Sequence, residues 1–292
     1  MARGVKRSIP LLIILAFFNS MAYSQESNEI PSAYLPLFSR LSQEGFDPQL
    51  LSFLLSDPRA ELNLSMLTVY LKLNSREVPE VYSKFLTPEQ ILLSKKFLRE
   101  NIRTLQKMEN DFQVDKEVVV AILLVESRFG ENIGKHRVIP TLASMAVMDS
   151  PENLEKNYRT LKENNPELTY EWLEAFARRK ASWAYDELKC FLRIIRDEGI
   201  DPLEVYGSYA GALGMPQFIP SSYVAFAQSK KGFENWLLDK EAAIFSIGNY
   251  LKSHGWKKGL TTEKKKKVLW SYNRSKPYVE TILELAQKIK RR

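Results

Sequence analysis

Eight consecutive apolar residues, Val118 to Val125, constrain the fold of this chain more than any other feature. A helix carrying them is apolar on every side and needs other elements around it. Local signals agree with a helix: Asp115 stands where an N-cap belongs, Glu117 complements the positive dipole end, and Gly130 offers a C-terminal stop. Glu126 then falls in the last turn, stacked over Ile122 and Leu123. A carboxyl group there loses hydration that favours its charged form, and the negative helix end disfavours that form further, so its pKa is expected to rise. A neutral acid at physiological pH can protonate a leaving oxygen. The alternative is that Glu126 pairs with Arg128 or a distant arginine and merely closes the helix.

Strand signals are scarce and apolar residues recur at helical spacing nearly throughout, so the chain reads as mainly α. Its 292 residues suit one large domain with lobes, or a domain with a smaller partner. Residues 25–110 form an N-terminal helical region, punctuated by breakers at Asp47-Pro48, Asp57-Pro58, Pro79 and Thr87-Pro88; the last reads as a helix start with Thr87 as cap. Residues 111–292 form the second unit, with a polar insertion at 151–180 that reads as a helical hairpin broken at Asn164-Asn165-Pro166. Further helices are expected over Trp183 to Asp197, from Pro220 or Ser221, and over Ala242 to His254.

The first 24 residues read as a signal peptide: Arg3, Lys6 and Arg7 form a basic start, Leu11 to Phe18 an apolar core, and Ala22 and Ser24 the small residues before cleavage. The alternative is a retained N-terminal anchor, against which Pro10 and the short run argue. Either way the body is expected to be exported, with no stable membrane anchor after cleavage. Removing Arg3, Lys6 and Arg7 takes the formal charge from +7 to +4, with 39 basic and 35 acidic residues. That balance, without a nucleic-acid motif, points away from nucleic acid and towards an anionic envelope polymer or surface. The Lys264 to Lys267 run reads as a solvated loop or helix end. Cys190 stands alone, so no intramolecular disulfide forms. His136 and His254 are isolated, which leaves no metal-ligand spacing.

A second motif supplies a groove. In Gly207 to Tyr223, sequence GSYAGALGMPQFIPSSY, three glycines let backbone approach a ligand while Ser208 and Gln217 offer hydrogen bonds. The spacing fits neither a dinucleotide fingerprint nor a P-loop. Taken alone, these glycines could serve packing or turns.

The combination is more specific than its parts. Glu126-Ser127-Arg128-Phe129-Gly130 after an apolar helix, then the glycine-rich segment, then Asn249-Tyr250-Leu251-Lys252-Ser253-His254-Gly255-Trp256, then Ser271-Tyr272-Asn273-Arg274-Ser275, closely resembles the membrane-bound lytic transglycosylase B family of peptidoglycan-cleaving enzymes. The resemblance covers about Tyr34 to Lys288 and is weak over Met148 to Lys180. It implies a lysozyme-like helical catalytic domain whose cleft binds glycan strands. It also implies one catalytic glutamate, which falls on Glu126, and substrate contacts at Ser208, Gln217, Tyr250 and Tyr272. In that family the acid protonates the oxygen between N-acetylmuramic acid and N-acetylglucosamine and then acts as base, the muramyl 6-hydroxyl closing a 1,6-anhydro ring. The substrate's N-acetyl group replaces the second carboxylate of ordinary glycosidases. Several members carry a calcium loop, but residues 228–234 here lack alternating acidic ligands, so no metal or other cofactor is expected. Two rival readings are a hydrolytic muramidase of the same fold and a non-catalytic peptidoglycan-binding protein.

Overall fold

A computed structural model describes residues 29–74, 79–196, 198–229 and 232–291; the signal segment 1–24 lies outside them. The N-terminal part holds α1 (Leu35–Gln43), α2 (Pro48–Ser56), α3 (Met66–Asn74), α4 (Pro79–Ser83), α5 (Pro88–Glu100) and α6 (Ile102–Phe112). Its starts follow elementary capping. The Asp47 carboxylate accepts from the Gln49 amide ahead of Pro48, and Thr87 Oγ1 accepts from the Gln90 amide ahead of Pro88.

The apolar run forms α7 (Lys116–Ser127), in which every residue from Val118 to Leu124 is buried. Two of its expected end signals are corrected. Asp115 occupies the cap position but makes no capping bond; its carboxylate instead accepts from Lys265 Nζ at 2.7 Å. The helix also stops before Gly130, because Arg128 (φ 50°) and Phe129 (φ 60°) both turn left-handed and donate their amides to Leu124 and Leu123 carbonyls.

After α7 come β1 (His136–Arg137), α8 (Val138–Ala146), α9 (Pro151–Lys162), α10 (Tyr170–Ile195) and β2 (Tyr206–Gly207). Strands β1 and β2 pair antiparallel, His136 opposite Gly207, and single bridges join Gly207 to Leu213 and Leu213 to Phe218. The hairpin expected at 151–180 has no break at its end. Its second arm is the first part of α10, which runs 26 residues straight through Lys180. The chain closes with α11 (Pro220–Phe226), α12 (Phe233–Trp236), α13 (Lys240–Ser253), α14 (Thr262–Tyr272) and α15 (Lys276–Lys290). The Lys264 to Lys267 run is therefore helical, lying in the first turns of α14.

One hydrophobic core runs from Tyr34 to Ile289 and surrounds α7, with α5, α6, α13 and α15 packed on that helix. It crosses residue 110 without interruption: that position lies inside α6, and α5 before it packs on α7 after it. A second, smaller core joins Leu67 and Tyr70 of α3 to Leu154 and Leu161 of α9 and to Leu173 and Ala177 of α10. Helix α10 belongs to both cores, contributing Leu188 and Phe191 to the main one. No helix among the described residues is long and apolar enough to cross a membrane.

Candidate active site

The sharp turn after α7 brings the loop 130–134 under the glycine-rich segment. Gly130 faces Met215, Gly134 lies against the backbone of Gly207 and Ser208, and the Ile133 carbonyl accepts from Gln217 Nε2 at 3.1 Å. The far end of the segment is pinned by a buried acid on α10. Both Glu187 carboxylate oxygens accept from Ser221, one from its amide and one from its hydroxyl, each at 2.8 Å. The glycine-rich segment is thus tied to the end of α7 and to α10.

Glu126 sits at this junction. Arg128 turns away to pair with Glu131 at 2.9 Å and Glu89 at 3.8 Å, so the helix-closing pair considered from sequence does not form. The partner is a tyrosine: Tyr278 Oη donates to Glu126 Oε1 at 2.7 Å. Burial pushes the Glu126 carboxyl up to about 7, an effect only partly offset by the Tyr278 hydroxyl. The group therefore stays partly protonated near neutral pH and can still give up its proton.

Two further tyrosines complete the cluster. Tyr272 stacks on Tyr278 with centroids 6.4 Å apart, and its hydroxyl donates to the Pro216 carbonyl at 2.6 Å. Burial, reinforced by the nearby Glu126 carboxylate, holds both phenols well above the ordinary tyrosine value, so they remain hydrogen-bond donors. Tyr250 lies 4.8 Å from Tyr272 and donates to the Ser271 carbonyl at 2.6 Å. It is 7% exposed, so it faces the aromatic cluster around Phe218 more than open solvent.

Ser208 and Gln217 have defined polarities. Ser208 Oγ accepts from the amides of Ala210 and Ala212, leaving its hydroxyl proton for an acceptor. Gln217, held left-handed at φ 52°, donates from Nε2 to the Ile133 and Gly214 carbonyls, leaving its Oε1 as an acceptor. The structure links Glu126, Gln217 and Tyr272 through neighbouring residues: Pro216 and Phe218 flank Gln217, both touch Tyr272, and Tyr272 stacks on Tyr278, the partner of Glu126. Ser208 joins through the loop 130–134.

Sequence reasoning missed Tyr278 and Glu187. Tyr278 shares a helical stripe with Ile282, Leu285 and Ile289 and reads as core, which it also is. The signal that could have found it is its six-residue offset from Tyr272, across the Ser275 cap of α15. Glu187 follows another acid, Asp186, but shares a helix face with the buried Ala184 and Phe191, a weak sign that a donor waits opposite it.

The donor set at 228–234, one acid at Glu234 beside two lysines, differs from the alternating acids of a calcium loop. Among the described residues no three His, Cys, Asp or Glu side chains converge, and the Phe233 amide donates to Glu198 Oε2.

Removing the Tyr278 hydroxyl gives a test of the acid's environment. A hydrogen bond to a carboxylate is worth about 1.5–3 kcal/mol, so Tyr278→Phe should raise the Glu126 pKa by about one to two units. The alkaline limb of a pH–rate profile should move up accordingly. An unmoved profile with lowered thermal stability would leave Tyr278 a packing role only.

A mainly helical body with a part-buried glutamate at the end of a core helix, beside a glycine-rich segment, defines the lysozyme-like class. The sequence pattern of the Transglycosylase SLT domain matches residues 34–266, and the chain belongs to that family. It is 32% identical over 240 residues to membrane-bound lytic murein transglycosylase B of Escherichia coli K12, a match covering 78% of this chain and 58% of that protein. Its structure resembles that of the E. coli lytic transglycosylase SLT35 in complex with bulgecin A, with TM-score 0.68, 25% identity, and coverage of 90% of this chain and 93% of that one. The fold also matches soluble lytic transglycosylase SltB1 of Pseudomonas aeruginosa, with TM-score 0.68, 24% identity, and coverage of 89% and 98%.

Proposed function

We propose that this chain is an exported peptidoglycan lytic transglycosylase that cleaves the β-1,4 bond between N-acetylmuramic acid and N-acetylglucosamine. The observation that carries the reading is Glu126, raised to about 7 by burial and bonded to a phenol, with no second carboxylate among the groups that shift it. A lone acid suits a substrate-assisted route. Its protonated carboxyl gives its proton to the glycosidic oxygen as the C1–O bond breaks, and the muramyl N-acetyl oxygen closes on C1. The Glu126 carboxylate then takes the proton of the muramyl 6-hydroxyl, whose oxygen attacks C1 and opens the acetyl ring. The product is a 1,6-anhydromuramyl end, and Glu126 is again protonated. Tyr278 stabilises the carboxylate between the two halves of the cycle.

Ser208 is assigned as a donor to a sugar or acetyl oxygen, and Gln217 Oε1 as an acceptor for an amide or hydroxyl. Tyr272 and Tyr250 are assigned as aromatic contacts for the sugar chain, Tyr250 also holding Tyr272 through their edge contact. The wall polymer is the partner, and its location implies export.

Mass spectrometry of products released from purified sacculi tests the reading. Anhydromuropeptides are the expected products. Reducing-end muropeptides would replace the proposal with a muramidase, and the absence of soluble products would replace it with a binding role.

A further inference from the structure

Away from Glu126, the second core carries a cavity of about 740 Å³ lined by Leu71, Leu161, Asn164, Asn165, Thr169 and Trp172. Its size lies in the range that holds a ligand of one to a few rings. The side chain that stands out is Trp172, a large indole left 50% exposed. Phe176 stacks under that indole at 5.3 Å with planes 13° apart, so one face is backed and the ring is held flat. The rest of its exposed surface has no protein ring against it.

The loop that completes the cavity is fixed without regular secondary structure. Lys162 Nζ donates to the Pro166 and Leu168 carbonyls, Asn165 Nδ2 donates to the Leu161 carbonyl, and the Leu168 amide donates to the Asn165 carbonyl. These bonds leave the Asn165 amide oxygen and the exposed Asn164 side chain as polar groups for a ligand. One acid and one base, Glu167 and Lys72, also line the cavity, so it carries no net charge. A flat indole beside amides in a cavity without net charge suits the apolar face and acetamido group of an amino sugar.

The position of the cavity fits a polymeric substrate. Eight residues along α10, about 12 Å by helical rise, lead from Trp172 to Lys180. Lys180 Nζ donates to Tyr70 Oη at 2.9 Å, and the Tyr70 ring meets Tyr209, the neighbour of Ser208, at 6.2 Å. We infer that the Trp172 cavity is a non-catalytic binding site for N-acetylated amino sugars of the glycan, holding a second stretch of the polymer on the same rigid body as Glu126. This inference rests on the glycan-cleaving reading given above.

The test compares unmodified protein with Trp172→Ala and Asn164→Ala on two substrates, protein-free sacculi and a short soluble muropeptide tetrasaccharide. Sacculus binding is measured in parallel, with both substitutions placed on a Glu126→Gln background. Each variant should bind and cleave sacculi more weakly, about tenfold for Trp172→Ala, and cleave the tetrasaccharide at the unmodified rate. Unchanged sacculus binding, or equal losses on both substrates, would overturn the inference. Binding to envelopes that retain their proteins is measured alongside, and a defect confined to them would also overturn the inference, making the occupant a protein. If the unmodified enzyme cleaves neither substrate, the catalytic reading fails while the binding comparison still decides the cavity.

Discussion

Glu126→Gln is expected to lower the rate of sacculus cleavage roughly a hundred- to ten-thousand-fold, the span of a lost general acid and base. The amide has nearly the carboxyl's shape and can still accept from Tyr278, so the fold should survive. The same substitution has a second, pH-dependent signature. Burial raises the Glu126 pKa from 4.5 to about 7, so the native state binds more protons than the unfolded chain between those values. Stability of the unmodified protein therefore falls as pH rises through that window and stays lower above it. A glutamine does not ionise, so the variant should be more stable than the unmodified protein at pH 8 by up to about 3 kcal/mol and nearly equal at pH 4. Denaturant unfolding at the two pH values measures the difference. An inactive variant without the pH-dependent gain would mean that Glu126 is not forced towards its neutral form.

Gly134→Ala is expected to have the largest effect on the fold itself. Gly134 has φ +102°, and a Cβ there would lie 2.0 Å from the carbonyl carbon and oxygen of Gly207 and 2.5 Å from the Ser208 amide nitrogen. All three atoms are backbone, so no side-chain rotation relieves the clash. Backbone strain and overpacking each cost about 1–3 kcal/mol, and here they add at one site. The loop 130–134 and the Ser208 segment would have to separate, removing stability and activity together. Gly45→Ala is the comparison, since Gly45 has φ +88° with nothing within 4 Å of an added Cβ. It bears the backbone strain without the collision. Thermal unfolding of both variants isolates the close approach, and equal losses would show that the two backbones are free to part.

The helix carrying Glu126 was readable because an eight-residue apolar run admits few environments, and the starts at Asp47-Pro48 and Thr87-Pro88 were readable because caps act within one turn. Long-range pairing left weaker traces. Asp115 has the residue type and position of a cap, yet a lysine 150 positions later takes its carboxylate. Gly130 is the residue best suited to a left-handed stop, but Arg128 and Phe129 adopt that geometry first, and Phe129 stacks on Phe97 at 4.2 Å. Asn164-Asn165-Pro166 does break the chain between α9 and α10, whereas no local signal distinguishes one long α10 from a hairpin arm followed by a second helix. Within the site, Glu126 and the glycine-rich segment carry chemistry that is rare in a core. Tyr278 does not, because a phenol on an apolar stripe reads the same whether or not its hydroxyl meets an acid.

The unbroken course of α10 has a geometric consequence for how such a chain can vary. Its first turns bear Trp172, while its later turns carry Glu187, whose carboxylate grips Ser221 behind the groove floor. A single added or deleted residue between them would rotate everything on the N-terminal side by about 100° and shift it by about 1.5 Å relative to the groove. The cavity and the cleft are therefore phased like teeth on one shaft, and length changes in this stretch preserve their alignment only near whole numbers of turns.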